Sequence, residues 1–291
     1  VPSVLITGAG RGIGRATALR LARAGWTVYA TVRQEADGAE LVAAAAGRAV
    51  HPLQLDVTDD AGIASLGASL PERLDAIVNN AGIVVSGPLE SLSADDLREQ
   101  FEVNVVGAVA LTNAVLPRLR ASRGRIVFVS SLSGIVSTPM TGAYNASKFA
   151  IEAIADAWRL ELRQWGVKVV LVEPAMTDTD LWRNAPETLE AEAAAMSDEH
   201  RDLYGGHLAG MRRTIPKIQK LAKPVDTVAA AIERALTAAK PKARYPVGVD
   251  VRIQAALSGV TPTRVSDAVN GKLTGTPTAP RHPPHRSNSS V

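Results

Sequence analysis

The sequence contains no cysteine among its 291 residues. That excludes disulfides, thiolate–zinc sites, iron–sulfur clusters and a cysteine nucleophile. It also fits a reducing, cytoplasmic compartment. Aromatic residues make up only 4%, too few for the base-stacking platforms of single-strand binders. The net charge is +3, and no Lys/Arg block with interleaved aromatics occurs, so no nucleic-acid partner is expected. No long apolar run is present. The longest stretch without a charge, Ile126 to Ser147, holds five serines, two threonines, an Asn and a Pro, far too polar to span a bilayer. Val1 to Thr7 has no basic n-region, so no secretory signal is expected. The five histidines, His51, His200, His207, His282 and His285, form no H-E-x-x-H, and G-x-S-x-G is absent. No metal site or Ser–His hydrolase is therefore expected.

What is present is a chain with 46% apolar and 21% charged residues, enough for a sizeable core. Short apolar runs alternate with helical patterns. Strands are expected at Val4 to Thr7, Thr27 to Thr31, Val50 to Leu55, Leu74 to Val78, Arg125 to Val129 and Val167 to Val172, with a last one near 244–247. Helices are expected at 12–24, 35–46, 59–69, 94–119, 143–164 and 225–239. This alternation means βαβ units in a doubly wound α/β fold: a parallel sheet of about seven strands with helices on both faces. One sheet uses nearly the whole chain, so residues 1–276 read as a single domain. The stretch of about 177–222 reads as mixed helical and irregular. Pro277 to Val291 is Pro- and Ser-rich with no aliphatic run and is expected to be disordered.

Strand one runs into Thr7-Gly8-Ala9-Gly10-Arg11-Gly12-Ile13-Gly14. Glycines between a strand and a helix allow a tight turn and close backbone approach to a pyrophosphate, which the helix N-terminus then faces. The spacing is G-x-x-x-G-x-G rather than the commoner G-x-G-x-x-G. Further along, Tyr144 and Lys148 are four apart on a helix and share a face. A nearby ammonium favours the phenolate and is expected to lower the tyrosine pKa toward the working range. A Ser131 hydroxyl can hydrogen-bond a substrate oxygen as charge develops there. Such a set suits proton transfer coupled to hydride transfer at an alcohol or ketone. Each residue has a plainer alternative: a solvated Tyr–Lys face, a strand-end hydroxyl for which Ser130 and Ser133 compete, and an Asn104 that only bridges backbone.

Together these motifs resemble the classical short-chain dehydrogenase/reductase (SDR) family. Thr7 to Gly14 looks like its T-G-x-x-x-G-I-G, and Asn79-Asn80-Ala81-Gly82 follows strand four. Asn104 lies in the next helix. Ser131 stands thirteen residues before Tyr144 and forms S-x-x-G with Gly134, and Tyr144 to Lys148 is Y-x-x-x-K. The resemblance covers residues 3 to about 248. It implies Ser131, Tyr144, Lys148 and Asn104 as the catalytic set, with Asn104 holding a water that links the lysine to solvent.

The resemblance also implies cofactor contacts from Gly8, Arg11, Gly12, Ile13, Gly14, Asp56, Val57, Asn80, Ala81, Gly82, Tyr144 and Lys148. Asp56 has an alternative use as a helix cap with Thr58. Pro174, Thr177 and Thr179 are similar to the family's P-G-x-x-x-T segment around the nicotinamide, with Ala175 in place of Gly; Thr179 has the alternative of a helix N-cap. Val32 falls where NAD-specific members carry an acid, and Arg33 follows it. Arg33 and Arg11, without an opposing carboxylate, suit a 2′-phosphate, so NADP is expected over NAD.

The stretch of about 177–222, expected to form a lid over the site, carries Leu181, Trp182, Leu189, Met196, Leu203, Tyr204, Leu208 and Met211. These suit a bulky hydrophobic alcohol or ketone, or else pack the lid onto the body; Ala243 to Gly248 resembles the family's members that act on steroids, retinoids and similar lipids. Apolar residues on more than one face of helices 94–119 and 143–164 (Val105, Val106, Val109, Ile151, Ile154, Trp158) point to a homodimer or homotetramer. The expected function is an NADP-dependent secondary alcohol/ketone oxidoreductase. A catalytically silent dinucleotide-binding regulator of the same fold is the alternative, and it would be expected to lack the Tyr or the Lys.

Overall fold

A computed structural model describes residues 1–257 and 261–277. The rest of the tail expected to be disordered, 278–291, lies outside the described residues. Seven strands form one sheet: β1 (Ser3–Ile6), β2 (Thr27–Val32), β3 (Val50–Gln54), β4 (Ala76–Asn79), β5 (Arg125–Val129), β6 (Lys168–Pro174) and β7 (Arg244–Val247). Their order is β3-β2-β1-β4-β5-β6-β7, and every pairing is parallel. The order reverses between β1 and β4. That switch point is where a doubly wound sheet opens a crevice at its carboxyl edge.

The apolar strand runs are explained by coverage on both faces. On one side, α1 (Gly12–Arg23), α2 (Glu35–Ala45) and α10 (Val225–Thr237) bury Val4, Ile6, Leu21, Trp26, Val28 and Ile232 in a common core. On the other, α3 (Asp60–Ser65), α5 (Gly107–Ser122) and α6 (Gly142–Glu161) bury Leu5, Ile77, Leu111, Phe128, Ile151 and Leu171. Val105 and Ile151 are thus buried within the chain, and Ile154 and Trp158 pack partly against the same core. Of the residues expected to face a second subunit, only Val106 is substantially exposed, at 46%.

Three elements differ from the sequence-based expectation. The helix expected at 94–119 is α4 (Ala94–Phe101), then a π-helical turn at Glu102–Val106, then α5. The widened turn carries Asn104, and single π turns of this kind mark functional positions. The lid is almost wholly helical: α7 (Asp180–Arg183), α8 (Ala185–Ala195) and α9 (Asp198–Gln219). Beyond β7 come α11 (Val249–Leu257) and α12 (Thr263–Thr274). Gly210 of α9 and Gly275 pack backbone to backbone, which seats the end of α12 on the lid. Among the described residues, no helix is long and apolar enough to cross a membrane.

Candidate active site

The site forms where β1, β4, β5 and β6 end side by side. At the end of β1, Gly8 and Gly12 have φ of +63° and +55°, a region L-residues avoid. A Cβ on Gly14 would lie 2.3 Å from the Gly8 carbonyl oxygen and 2.6 Å from Asn80 Nδ2, so only glycine fits there. Arg11 precedes α1 with no side-chain cap, and no acid stands in the first turn, so the helix's free N–H groups face the crevice. A Cβ on Gly12 would meet Thr179 Cγ2 at 3.3 Å. That places Thr179 across the turn. Thr179 also precedes α7, but its side chain makes no capping hydrogen bond. Ile13 packs partly against the core below.

Asn80 braces this turn. Its Nδ2 donates to the carbonyls of Thr7 (2.9 Å) and Gly8 (3.2 Å), and Thr7 Oγ1 accepts from the N–H groups of Asn80 (2.9 Å) and Ala81 (2.8 Å). Gly82 lies against Asn104, whose Oδ1 would be 3.2 Å from a Cβ there. Asn104 Nδ2 donates to the Ile83 carbonyl (3.0 Å) and to Ser147 Oγ (3.1 Å), while its Oδ1 accepts from Ile83 N–H (2.8 Å). Ser147 Oγ in turn donates to the Tyr144 carbonyl (2.7 Å). Asn104 therefore ties the segment after β4 to the helix that carries Tyr144. Gln100, missed in the sequence, does similar work one turn earlier: it accepts from Val85 N–H (2.7 Å) and donates to the Ile83 carbonyl (3.0 Å). Its spacing of four from Asn104 is the signal that was available.

Ser131 follows β5 by two residues in extended conformation and accepts from Ser133 N–H at 3.1 Å. Its hydroxyl stands near enough to the Tyr144 phenol to pull the phenol pKa down. Ser130 is buried, and Ser133 donates its backbone N–H to Ser131. Lys148 is buried and its Nζ lies 5.6 Å from the Tyr144 ring centroid, donating to the Val129 carbonyl at 2.9 Å. Burial pulls its pKa down to about 8, against the opposing pull of Glu152.

The tyrosine corrects an expectation. Burial pushes the Tyr144 phenol above its ordinary value, and only the Ser131 hydroxyl pulls it down. Lys148 Nζ donates to the Val129 carbonyl instead of acting as the main influence on the phenol.

The remaining expected contacts divide. Val57 is buried, whereas Asp56 is exposed and accepts from the Thr58 N–H (3.0 Å) and hydroxyl (2.8 Å). The cap of α3 is Asp59, not Asp56. Pro174 ends β6, and Ala175 avoids positive φ, so alanine there carries no backbone strain. Thr177 is buried with its hydroxyl donating to the Ala175 carbonyl at 3.0 Å. Arg11 and Arg33 are exposed and form no ion pair among the described residues. They are not free of carboxylates, however: Arg33 helps to lower the Asp56 pKa, and Asp37 packs against Gly10, its Oδ2 2.8 Å from where a Cβ would stand. The register of β2 on β3, with Val32 opposite Gln54, brings Asp56 near Arg33.

Comparison with known proteins agrees with this architecture. Residues 2–190 match the short chain dehydrogenase family. A protein from Ornithobacterium rhinotracheale named NADPH-dependent 3-dehydrocapnine reductase is 33% identical over 276 residues, covering 91% of this chain and 94% of its own. Mouse retinol dehydrogenase 16 is 34% identical over 276 residues, covering 91% and 86%. The crystal structure of a short-chain dehydrogenase from Streptomyces avermitilis superposes with a TM-score of 0.73 at 28% identity, covering 94% of this chain and 95% of that one. The chain belongs to the short-chain dehydrogenase family and is an NAD(P)-dependent oxidoreductase acting on alcohol or ketone groups.

Proposed function

We propose that the chain interconverts a hydrophobic secondary alcohol and its ketone with NADP(H), with Tyr144 as the general acid and base. The observation that carries this reading is the Ser131 hydroxyl placed near enough to the Tyr144 phenol to pull its pKa down, with Lys148 one helical turn on. The glycine cradle fits a dinucleotide: Gly14 leaves no room for a Cβ, so the backbone can approach a pyrophosphate at the N-terminus of α1.

When bound, the nicotinamide supplies or accepts the hydride. Ser131 holds the substrate oxygen by its hydroxyl and orients it toward the phenol. Tyr144, its pKa raised by burial, is protonated at neutral pH and so stands ready to donate a proton to that oxygen in the reductive direction. Lys148, fixed by the Val129 carbonyl, keeps a positive charge beside the phenolate that results. Asn104 and Ser147 hold the Tyr144 helix in register with the segment after β4.

Two observations support NADP over NAD: Val32 rather than an acid at the end of β2, and exposed Arg11 and Arg33 beside it. The name of the 33% identical relative, an NADPH-dependent reductase, points the same way. Apolar side chains favour a bulky hydrophobic substrate. Leu189, Leu208 and, in part, Met196 and Met211 pack around Met140, while Leu181 and Leu203 remain about half exposed. A 34% identical relative is named a retinol dehydrogenase. The test is a panel of hydrophobic ketones and alcohols followed at 340 nm, with wild type and Tyr144→Phe. Turnover should fall at least ~100-fold in the variant, with NADPH binding by fluorescence retained. Undiminished kcat in Tyr144→Phe would end the assignment.

A further inference from the structure

Beneath Lys148 lies a cluster of acids that the reaction described above does not use. Glu152, one turn further along α6, is buried, and Asp156 follows one turn later. Glu173 of β6 is 1% exposed. All three gather around Arg244 of β7. Arg244 Nε lies 3.1 Å from Glu152 Oε2 and 3.2 Å from Glu173 Oε1, and its Nη2 donates to both Asp156 oxygens at 2.9 Å. Asp156 is also paired with Arg159. The cluster touches the serine loop as well. A Cβ on Gly134 would meet Ser130 Oγ at 2.8 Å, Glu152 Cγ at 3.1 Å and the Lys148 carbonyl at 3.2 Å.

The charge count is unbalanced. Asp156 has Arg159 as a second partner, so the imbalance lies at Glu152 and Glu173, which among the described residues have only the Arg244 guanidinium within ion-pair distance. Two of the carboxyls share the same Nε and so stand within about 6 Å of each other, where like charges in a buried site resist joint ionisation. Neither oxygen of Glu173 accepts a hydrogen bond among the described residues, nor does Glu152 Oε1. A proton on either carboxyl would remove the repulsion between them. Burial and the nearby Glu152 push Glu173 up to about 7, and burial raises Glu152 too.

We propose that Glu152 and Glu173 share one proton near neutral pH and that this pair, clamped by Arg244, positions Lys148 and keeps it charged. They are positioning residues, since neither touches the Tyr144 phenol. The groups facing the pair are Lys148 and Asp156 from α6, Arg244 from β7 and Ser130 from the end of β5. The role in turnover rests on the proposed part of Lys148 beside Tyr144, but the shared proton does not.

The test is an NMR titration of the full chain carrying 13C at glutamate Cδ and lysine Cε. Glu152→Gln, Glu173→Gln and Lys148→Arg assign the signals. One glutamate should stay protonated past about pH 6. Glu152→Gln should lower the Glu173 titration, because a like charge is gone, and lower that of Lys148 by on the order of one unit. If every glutamate of the wild type is ionised by about pH 5.5, the shared proton is overturned, whether or not the variants fold. If Lys148 titrates unchanged in Glu152→Gln, the positioning role is overturned. Full turnover by Tyr144→Phe would defeat the catalytic reading yet leave these titrations as expected, so the two failures are distinguishable.

Discussion

Thr7 and Asn80 bind the ends of β1 and β4 to each other in both directions: the Thr7 hydroxyl accepts two backbone N–H groups, and the Asn80 amide returns to the carbonyls of Thr7 and Gly8. The strand pair so joined flanks the switch point, so one lattice of four bonds fixes the glycine turn against the crevice. Thr7→Val keeps the shape and removes the acceptor. Thr7 is buried, so two donors lose their partner, at about 1–3 kcal/mol each. A loss of about 3 kcal/mol in urea unfolding is expected, with NADPH affinity down roughly tenfold as the turn loosens. An unchanged unfolding midpoint would show that the brace is not needed.

Lys148 sets activity against stability. Its side chain is buried and titrates near 8, against an ordinary 10.5. Below about 8, folded and unfolded chains both carry the proton, and the full cost of burying the charge is present. As pH rises from about 8 through 10.5, the folded chain sheds its proton first, so the cost is relieved and stability rises. Lys148→Met removes the buried charge but also the hydrogen bond to Val129. The variant is expected to be inactive yet about 1–2 kcal/mol more stable at pH 7. That advantage should shrink steadily between pH 8 and 10.5. A gap between the two melting curves that is constant with pH would contradict it.

Why some of this was legible and some not follows from range. The glycine turn, the Tyr–Lys spacing and the Ser131 offset are local, and the parallel order follows from strands that alternate with helices. The π turn at Asn104 was not legible, because its cause lies in Ile83 and Ser147, partners 21 and 43 positions away. Asp59 took the cap expected of Asp56 because two acids three apart compete for one helix start. The acid near Arg33 appears only once β2 and β3 are in register. The rise in the Tyr144 pKa comes from burial, which the four-residue spacing to Lys148 cannot report. Helices α11 and α12 were legible in the four-residue apolar spacing of Val249, Ile253 and Leu257 and of Val265, Val269 and Leu273, although these side chains are at least half exposed in the fold.

Subunit association is expected through the outer face of α4 to α6. Val106 and Phe149 are 46% and 42% exposed there, and apolar side chains so placed favour a second copy. A homodimer or homotetramer mass is expected by light scattering at micromolar concentration. Val106→Glu with Phe149→Glu should shift it toward the monomer, because two carboxylates per subunit would meet their symmetry mates. A monomeric wild type would remove the proposal.

Cofactor choice turns on the same crevice from its other side. Val32 ends β2, buried, where an acid would bind ribose hydroxyls. Arg33 follows it into solvent, and Arg11 stands on the glycine turn. A guanidinium gains most from a phosphate through paired hydrogen bonds. Asp56 competes for Arg33 only from a distance: its carboxyl is held first by Thr58, and Arg33 is the least of the influences on it. Asp37, packed on Gly10, adds a nearby negative charge that favours whichever cofactor lacks the phosphate, so the arginines must outweigh it. The wild type is expected to use NADPH with a kcat/KM at least ~10-fold above that for NADH, one good charged contact being worth about 1.5–3 kcal/mol. Arg33→Ala should erase most of that ratio and Arg11→Ala a smaller part. Val32→Asp combined with Arg33→Ala should invert it, because the new carboxylate repels a 2′-phosphate and accepts from ribose hydroxyls. Equal kcat/KM for both cofactors in the wild type, on one substrate, would mean that the arginines do not read the phosphate.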